Sequence, residues 1–542
     1  MGGSSELPHS EGSLTQVKVA PWPQELINRY RAQGLWRGDT LDDVLRQRAA
    51  DPRIASRTAV VDATTSLTYA ELDQHVGRLA AGLVGLGVGR DDRVLLQIPN
   101  QAEYVIVVFA LFRMGALPVF GLPAHRENEL VGIAGAAEAV AIVSPRRIGA
   151  VDHRALAESV AAQVPSVRHL VDVDDLASVY TDPIEHERSD PSEMAFLQLS
   201  GGSTGIPKLI PRTHDDYLYS VIRSNEVCGV TADTVYLATL AVAHNFPMSS
   251  PGILGALYAG GTVALTRSPA PSVAWDMVRR AGVTMTGLVP PLARLWTETA
   301  EAGTDFDLST LRTVLVGGAR CPDELARRIG PALGVRLQQV FGMAEGLVCY
   351  TRLDDPEDVV TATQGRPMSD ADELRLVTED GEIVTDGPGF LETQGPYTIR
   401  AYWADRSPES FAPDGWYRTG DVVELTPEGN LLVRGRGGDR INRGGEKVSA
   451  EQLEEELLAH PLVRDAIVVA VADTFLGERT CAYVIPADPE QPPTLPVLRK
   501  FVREAGLAEW KLPDVVKVID GFPETGVGKV SRKQLRELLA QN

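Results

Sequence analysis

An α/β fold is predicted: a large N-terminal part made of two doubly wound α/β subdomains with a small β-rich subdomain, then a small α+β unit at the C-terminus. Three observations carry this. Strand and helix patterns alternate over residues 58–143 and again over 234–341, which is the signature of parallel sheets covered on both faces. After Gly365 the texture changes to short strands separated by turns such as Asp380-Gly381 and Pro427-Glu428-Gly429. The segment Gly435-Arg436-Gly437-Gly438-Asp439-Arg440 is too glycine-rich for a strand or helix interior and reads as a linker.

The elements follow in order. Ala59-Val60-Val61 is strand-like, and Thr68 with Glu71 forms a capping box that opens an amphipathic helix reaching Val84. Residues 94–98 read as a buried strand, 102–114 as a helix, 118–121 as a strand, 128–137 as a helix and 139–143 as a strand. A polar segment, 172–190, then interrupts the series. The second run comprises 234–240, 254–258, 263–266, 273–281, 284–289, 292–302, 314–317, 323–329 and 336–341. Ligands in such an architecture sit in the crevice at the carboxyl ends of the strands. Beyond the linker, Ser449 caps a helix over 450–458, residues 466–471 and 481–485 are strands, 496–504 a helix and 515–519 a strand.

Residues 199–208, Leu-Ser-Gly-Gly-Ser-Thr-Gly-Ile-Pro-Lys, are built to hold phosphate oxygens. Gly201, Gly202 and Gly205 let backbone N–H groups turn inward, Ser200, Ser203 and Thr204 add hydroxyls, and Lys208 adds a positive charge. The loop is not a Walker A motif, because Ile206 and Pro207 separate Gly205 from Lys208. Near the C-terminus, Gly526-Val527-Gly528-Lys529 places one lysine on a glycine-flanked loop.

Bulk properties narrow the function. With 52 Lys and Arg against 73 Asp and Glu, the net charge is −21, which argues against an extended nucleic-acid surface or a polybasic membrane anchor. The most apolar run, 105–112, stops at Arg113, well short of the ~20 residues a membrane span needs. Cys228, Cys321, Cys349 and Cys481 are scattered without metal or redox spacing. They read as reduced thiols of a cytoplasmic protein, and the Gly/Ser-rich start reads as a disordered lead-in rather than a signal peptide.

Taken together, the motifs resemble those of the adenylate-forming superfamily, which includes acyl-CoA synthetases, luciferases and nonribosomal-peptide adenylation domains. The likeness runs from about Leu41 to Leu539. Residues 199–208 resemble the phosphate loop, Phe341-Gly342-Met343-Ala344-Glu345-Gly346 the motif after the last large-domain strand, and Tyr417-Arg418-Thr419-Gly420-Asp421 the ribose-binding motif. Residues 435–439 resemble the interdomain hinge and 523–529 the C-terminal lysine loop. The resemblance implies a lead-in over 1–20, an adenylation core over 21–434, a hinge over 435–440 centred on Gly438, and a mobile lid domain over 441–542.

It also implies roles. Lys529 bridges the substrate carboxylate and the α-phosphate of ATP, Lys208 serves the phosphate loop, and Glu345 holds Mg²⁺ against the phosphates. Asp421, assisted by Arg436, accepts the ribose hydroxyls. Gly317, Gly318, Ala319 and the backbone at Val340, Gly342, Met343 and Ala344 complete the nucleotide site.

Within the superfamily, Ala243-His244-Asn245-Phe246-Pro247-Met248-Ser249-Ser250-Pro251-Gly252 and the run Asn442-Arg443-Gly444-Gly445-Glu446-Lys447 resemble the stand-alone aryl-acid adenylating enzymes of siderophore biosynthesis. Amino-acid adenylation domains carry an aspartate where Asn245 falls; an uncharged amide suits an acid without an amine. The implied aryl pocket comprises His244, Asn245, Phe246, Ser250, Gly317, Val348 and Cys349. Ser250 with Val348 leans towards 2,3-dihydroxybenzoate. Cys349, standing where these relatives usually have Asn, makes the pocket floor less polar and opens the way to a substituted salicylate. The implied reaction is formation of an aryl-AMP from the acid and ATP, then transfer to the phosphopantetheine of a separate aryl carrier protein. An aryl-CoA ligase and a catalytically silent nucleotide-binding protein are the alternatives.

Overall fold

The computed structural model describes residues 22–200, 207–321, 323–378, 380–405, 407–436, 440–523 and 532–540. Among them, four main sheets organise the chain. The largest has nine strands in the order Arg366–Pro367, Val348–Tyr350, Arg336–Gly342, Thr313–Gly317, Met285–Leu288, Val235–Ala238, Thr262–Leu265, Thr58–Val61 and Ser66–Thr68. Its six inner strands run parallel, and antiparallel strands close both edges. A six-stranded sheet runs Lys208–Thr213, Met194–Ser200, Leu117–Phe120, Arg93–Leu96, Ala141–Ser144 and His169–Asp172.

The alternating pattern holds element by element, with boundaries within a few residues of those expected. The helix Tyr69–Gly85 opens on the Thr68–Glu71 capping box. The helix Ala102–Met114 is buried on nearly every face, which accounts for its apolar run. Two helices before the first expected strand, Gln24–Ala32 and Leu41–Ala50, pack onto the same core.

Two expectations need correction. The strand Thr58–Val61 does not join the sheet of the elements that follow it but pairs in parallel with Thr262–Leu265 of the second run. Val60 and its neighbours are apolar enough for either sheet, so periodicity alone could not choose. Part of the segment read as a glycine-rich linker is strand: Gly435 and Arg436 are the last residues of the strand Leu431–Arg436, standing opposite Val422 and Asp421, and Arg440 opens the strand Arg440–Arg443, while 437–439 lie outside the described residues.

The β-rich region is a four-stranded antiparallel sheet, Glu373–Val377, Gly389–Gln394, Tyr417–Leu425 and Leu431–Arg436. The C-terminal segment builds its own sheet of five strands, Glu446–Ser449, Arg440–Arg443, Gly477–Pro486 and Val463–Asp473, with Val515–Val518 parallel to Gly477–Pro486. It has its own core around Leu453, Leu457, Val468, Val484 and Leu498. Among the described residues no helix is long and apolar enough to cross a membrane.

Candidate active site

A cavity of about 590 Å³ opens where the strand ends of the large sheet meet the C-terminal segment. It is lined by residues just past four strands of that sheet: Leu240, Ala241 and Ala243–Phe246 after Val235–Ala238, Val289 after Met285–Leu288, Gly318 and Ala319 after Thr313–Gly317, and Met343–Glu345 after Arg336–Gly342. The carboxyl-end crevice expected from topology is therefore where the described parts of the phosphate-loop, Phe341–Gly346 and ribose-binding motifs meet.

Asn245 begins the short helix Asn245–Ser249. Its Oδ1 accepts a 2.8 Å hydrogen bond from the fully buried Tyr217 Oη. That bond occupies the acceptor end of the amide and leaves the NH₂ group as the donor available at the cavity wall. Phe246 lies against two glycines. A Cβ built on Gly287 would come 3.2 Å from Phe246 Cζ, and one on Gly317 would come 3.4 Å from Cε1 and 2.9 Å from the Val340 carbonyl oxygen. The two glycines thus let the ring approach these strands closely, and at Gly317 a side chain would also collide with the Val340 carbonyl. Ser250 and Val348 also line the cavity and are buried.

Cys349 does not line it. Successive residues of the strand Val348–Tyr350 point to opposite faces, so Val348 faces the cavity while Cys349 packs with Ile210, Leu347, Leu391 and Tyr402. Burial pushes its thiol far above the usual range. Its expected influence on the pocket floor is therefore corrected.

At the nucleotide end, Ser200, Gly318, Ala319, Val340, Gly342, Met343, Ala344, Glu345 and Asp421 line the cavity. Ser200 Oγ is buried without a partner among the described residues. Lys208 stands directly opposite Ser200 across an antiparallel pair; its ammonium lies 4.7 Å from the Tyr402 ring centroid and 3.3 Å from Ser410 Oγ. Tyr402 Oη donates to Glu345 Oε1 at 2.9 Å and shares a 3.0 Å bond with Tyr417 Oη. Lys208 and Glu345 thus meet through one phenol ring. Arg436 stands opposite Asp421 in register. Gly201, Gly202, Ser203, Thr204, Gly205, Gly438 and Lys529 lie outside the described residues.

The C-terminal segment supplies the cavity's other wall through Asn442, Gly444, Gly445, Glu446, Lys447, Gln452, Phe475 and Lys511. A Cβ on Gly445 (φ +95°) would lie 2.9 Å from Val289 Cγ1, so the hairpin tip is seated on the large sheet. His244 Nε2 lies 3.4 Å from Glu446 Oε1. Burial opposes charge on both, but the attraction and hydrogen bond between them prevail, raising the His244 pKa and lowering that of Glu446. Lys511 Nζ donates to Glu129 Oε1 at 3.2 Å and to Gln452 Oε1 at 3.1 Å. Beside them, burial and the nearby Lys511 charge push His125 down to about 3; it stays neutral, its Nδ1 accepting from the Leu122 N–H at 3.0 Å.

Sequence reasoning did not single out Gln198, Tyr217, Tyr402, His125 or Lys511. Gln198 left a signal, being the one polar residue within Ala-Phe-Leu-Gln-Leu, and its amide nitrogen is buried without a partner among the described residues. The others owe their place to contacts between segments far apart in sequence.

Residues 46–403 match the family described as AMP-binding enzyme, and residues 452–529 match the AMP-binding enzyme C-terminal domain. The chain belongs to the AMP-binding enzyme family. It is 50% identical over 530 residues to a 2,3-dihydroxybenzoate-AMP ligase of Bacillus subtilis, covering 96% of this chain and 97% of the relative. It is 43% identical over 532 residues to a salicyl-AMP ligase / salicyl-S-ArCP synthetase of Mycobacterium tuberculosis, covering 95% and 93%. Among solved structures it is similar to apo MbtA of Mycobacterium smegmatis, with a TM-score of 0.74, 43% identity and coverage of 96% of this chain and 98% of that one.

Proposed function

We propose that this enzyme joins an ortho-hydroxy aryl acid to AMP at the expense of ATP and then passes the aryl group to the phosphopantetheine thiol of a carrier protein. The observation that carries the choice of acid is Asn245. An amino-acid substrate calls for a carboxylate beside its ammonium, whereas here an uncharged amide, oriented by Tyr217, offers N–H donors beside the aromatic wall of Phe246. Such a donor suits a carboxylate and the acceptor oxygen of a neighbouring hydroxyl. With Cys349 off the pocket, Ser250 and Val348 remain as the ring-facing markers, and they favour 2,3-dihydroxybenzoate over a substituted salicylate.

In the first half-reaction a carboxylate oxygen attacks the α-phosphorus, forming the acyl phosphate bond as the bond to pyrophosphate breaks. Both reactants are anions, so the catalytic needs are positioning and compensation of charge. Asn245 orients the carboxylate, Phe246 fixes the ring plane, and the Ser200 hydroxyl, without a partner among the described residues, stands ready for a phosphate oxygen. Asp421 receives the ribose hydroxyls, and Gly318, Ala319 and Val340 bound the base. Lys529 supplies the positive charge between carboxylate and α-phosphate. A single carboxylate together with substrate phosphates is a donor set that suits Mg²⁺, and Glu345 offers it; Mg²⁺ when bound withdraws charge from the phosphate oxygens.

In the second half-reaction the carrier thiolate attacks the acyl carbon and AMP departs. The Gly444-Gly445 turn lies at the cavity, which supports a role for it in that step. We assign residues 441–542 as a lid that rotates against the N-terminal core between the half-reactions, exchanging Lys529 for the glycine turn.

The test is acid-dependent ATP–pyrophosphate exchange over benzoate, salicylate, 2,3-dihydroxybenzoate, hydroxypicolinate and amino acids, followed by loading of coenzyme A against a carrier protein. Exchange strongest with 2,3-dihydroxybenzoate and loading of the carrier are expected. Preference for an amino acid, or no exchange with any ortho-hydroxy acid, overturns the reading.

A further inference from the structure

Arg212 takes no part in the chemistry above, yet it is among the largest fully buried side chains of the described residues. It sits on the strand Lys208–Thr213. Its Nε donates to Asp216 Oδ1 at 2.9 Å, Nη1 to the Ala344 carbonyl at 2.8 Å and Nη2 to the Tyr397 carbonyl at 3.1 Å. The guanidinium also lies 4.9 Å from the centroid of the Tyr217 ring. Burying such a charge is costly unless it is paired and its donors are satisfied. Asp216, itself held by the backbone N–H of Thr213, provides the compensation.

The carbonyls that Arg212 grips show what the buried charge does. Ala344 immediately precedes Glu345, so its carbonyl belongs to the peptide that links the two. The next carbonyl, that of Glu345, accepts from Ile399 N–H at 2.7 Å. Both peptide planes flanking the Glu345 Cα are thereby fixed, one by Arg212 and one by the segment that starts at Tyr397. Tyr397 in turn accepts from Val348 N–H through its hydroxyl at 2.9 Å, closing the far end of the same loop. A planar fork with several donors can hold a carboxylate and two carbonyls at once; a lysine ammonium is a point donor on a flexible stem and cannot reproduce that geometry.

We propose that Arg212 is a positioning residue that sets the Ala344–Glu345 peptide and so aims the Glu345 carboxylate at the magnesium-bound nucleotide. This rests on the function proposed above for its catalytic consequence, but its binding consequence can be measured alone. The experiment compares wild type, Arg212→Lys, Glu345→Gln and the double variant. Calorimetry measures ATP affinity with Mg²⁺ and with EDTA, thermal unfolding reports integrity, and pyrophosphate exchange gives kcat and the KM for the aryl acid.

Arg212→Lys should weaken ATP binding at least tenfold with Mg²⁺ but less than twofold in EDTA, and lower kcat at least tenfold while the aryl-acid KM stays within twofold. On the Glu345→Gln background the same change should have less than a twofold further effect on Mg²⁺-dependent affinity, because the group it aims is already gone. Equal loss of affinity with and without Mg²⁺, additivity in the double variant, or unchanged affinity in a folded protein overturns the proposal. Should Arg212→Lys not fold, Asp216→Asn provides the reading, since it keeps the guanidinium and removes the charge, and one of the two acceptor oxygens, that hold it; the same Mg²⁺-selective weakening, at least threefold, is expected, and its absence is equally decisive. If wild type shows no exchange with any aryl acid, the proposed function fails while the calorimetric comparison still decides the role of Arg212.

Discussion

Replacing Lys511 by Met should separate the two half-reactions. Lys511 belongs to the C-terminal segment and Glu129 to the large N-terminal part; their charged atoms are 3.2 Å apart, with side chains 10% and 0% exposed. Removing one partner of a buried pair costs about 3–5 kcal/mol, because the remaining charge stays desolvated. Here Glu129 keeps the N–H donors of Arg126 at 2.9 Å and Ala508 at 3.3 Å, which places the cost at the lower end. A loss of about 3 kcal/mol shifts the docking equilibrium by roughly 100-fold. In the lid rotation proposed above, the pair exists only while the two parts are docked, and docking brings the Gly444-Gly445 turn to the cavity. Carrier loading should therefore fall tenfold or more while ATP–pyrophosphate exchange stays within threefold of wild type. Single-turnover loading and exchange, measured on the same folded preparation, decide it. Loading within twofold of wild type, or exchange lost in parallel with loading, would refute the reasoning.

Two further outcomes follow from the same geometry. Asn245→Asp sets a carboxylate against the substrate carboxylate at a half-buried wall of the cavity, where like-charge juxtaposition costs several kcal/mol; kcat/KM for the aryl acid should drop about 100-fold or more in the exchange assay. The His244–Glu446 contact makes loading pH-dependent. His244 has a pKa raised above 6.5 when docked, so its contribution is complete below pH 6.5 and is lost as pH rises through the raised value. Glu446, lowered from 4.5, contributes above pH 4.5 and loses its share as pH falls through its lowered value. The ratio of loading to exchange should decline as the pH is raised above 6.5, and Glu446→Gln should flatten that decline. His125, already neutral there, adds nothing to the profile.

Much of this enzyme is written locally. The alternation of apolar strands and capped helices, the glycines around Ser200, the acid at Glu345 and the uncharged Asn245 are decided by residue type and spacing, because backbone freedom, burial and charge act within a few residues of where they are encoded. What local pattern could not decide is which distant segments meet. Thr58–Val61 is equally suited to either large sheet, and only pairing with Thr262–Leu265 places it. Cys349 lies one residue from Val348, yet strand alternation turns it to the other face once that strand is seated. Arg212 finds Ala344 across 132 positions and Lys511 finds Glu129 across 382. Such contacts carry no periodic signal: a buried charge is tolerated wherever the folded chain brings its partner, so tertiary packing alone determined which charges hold the site.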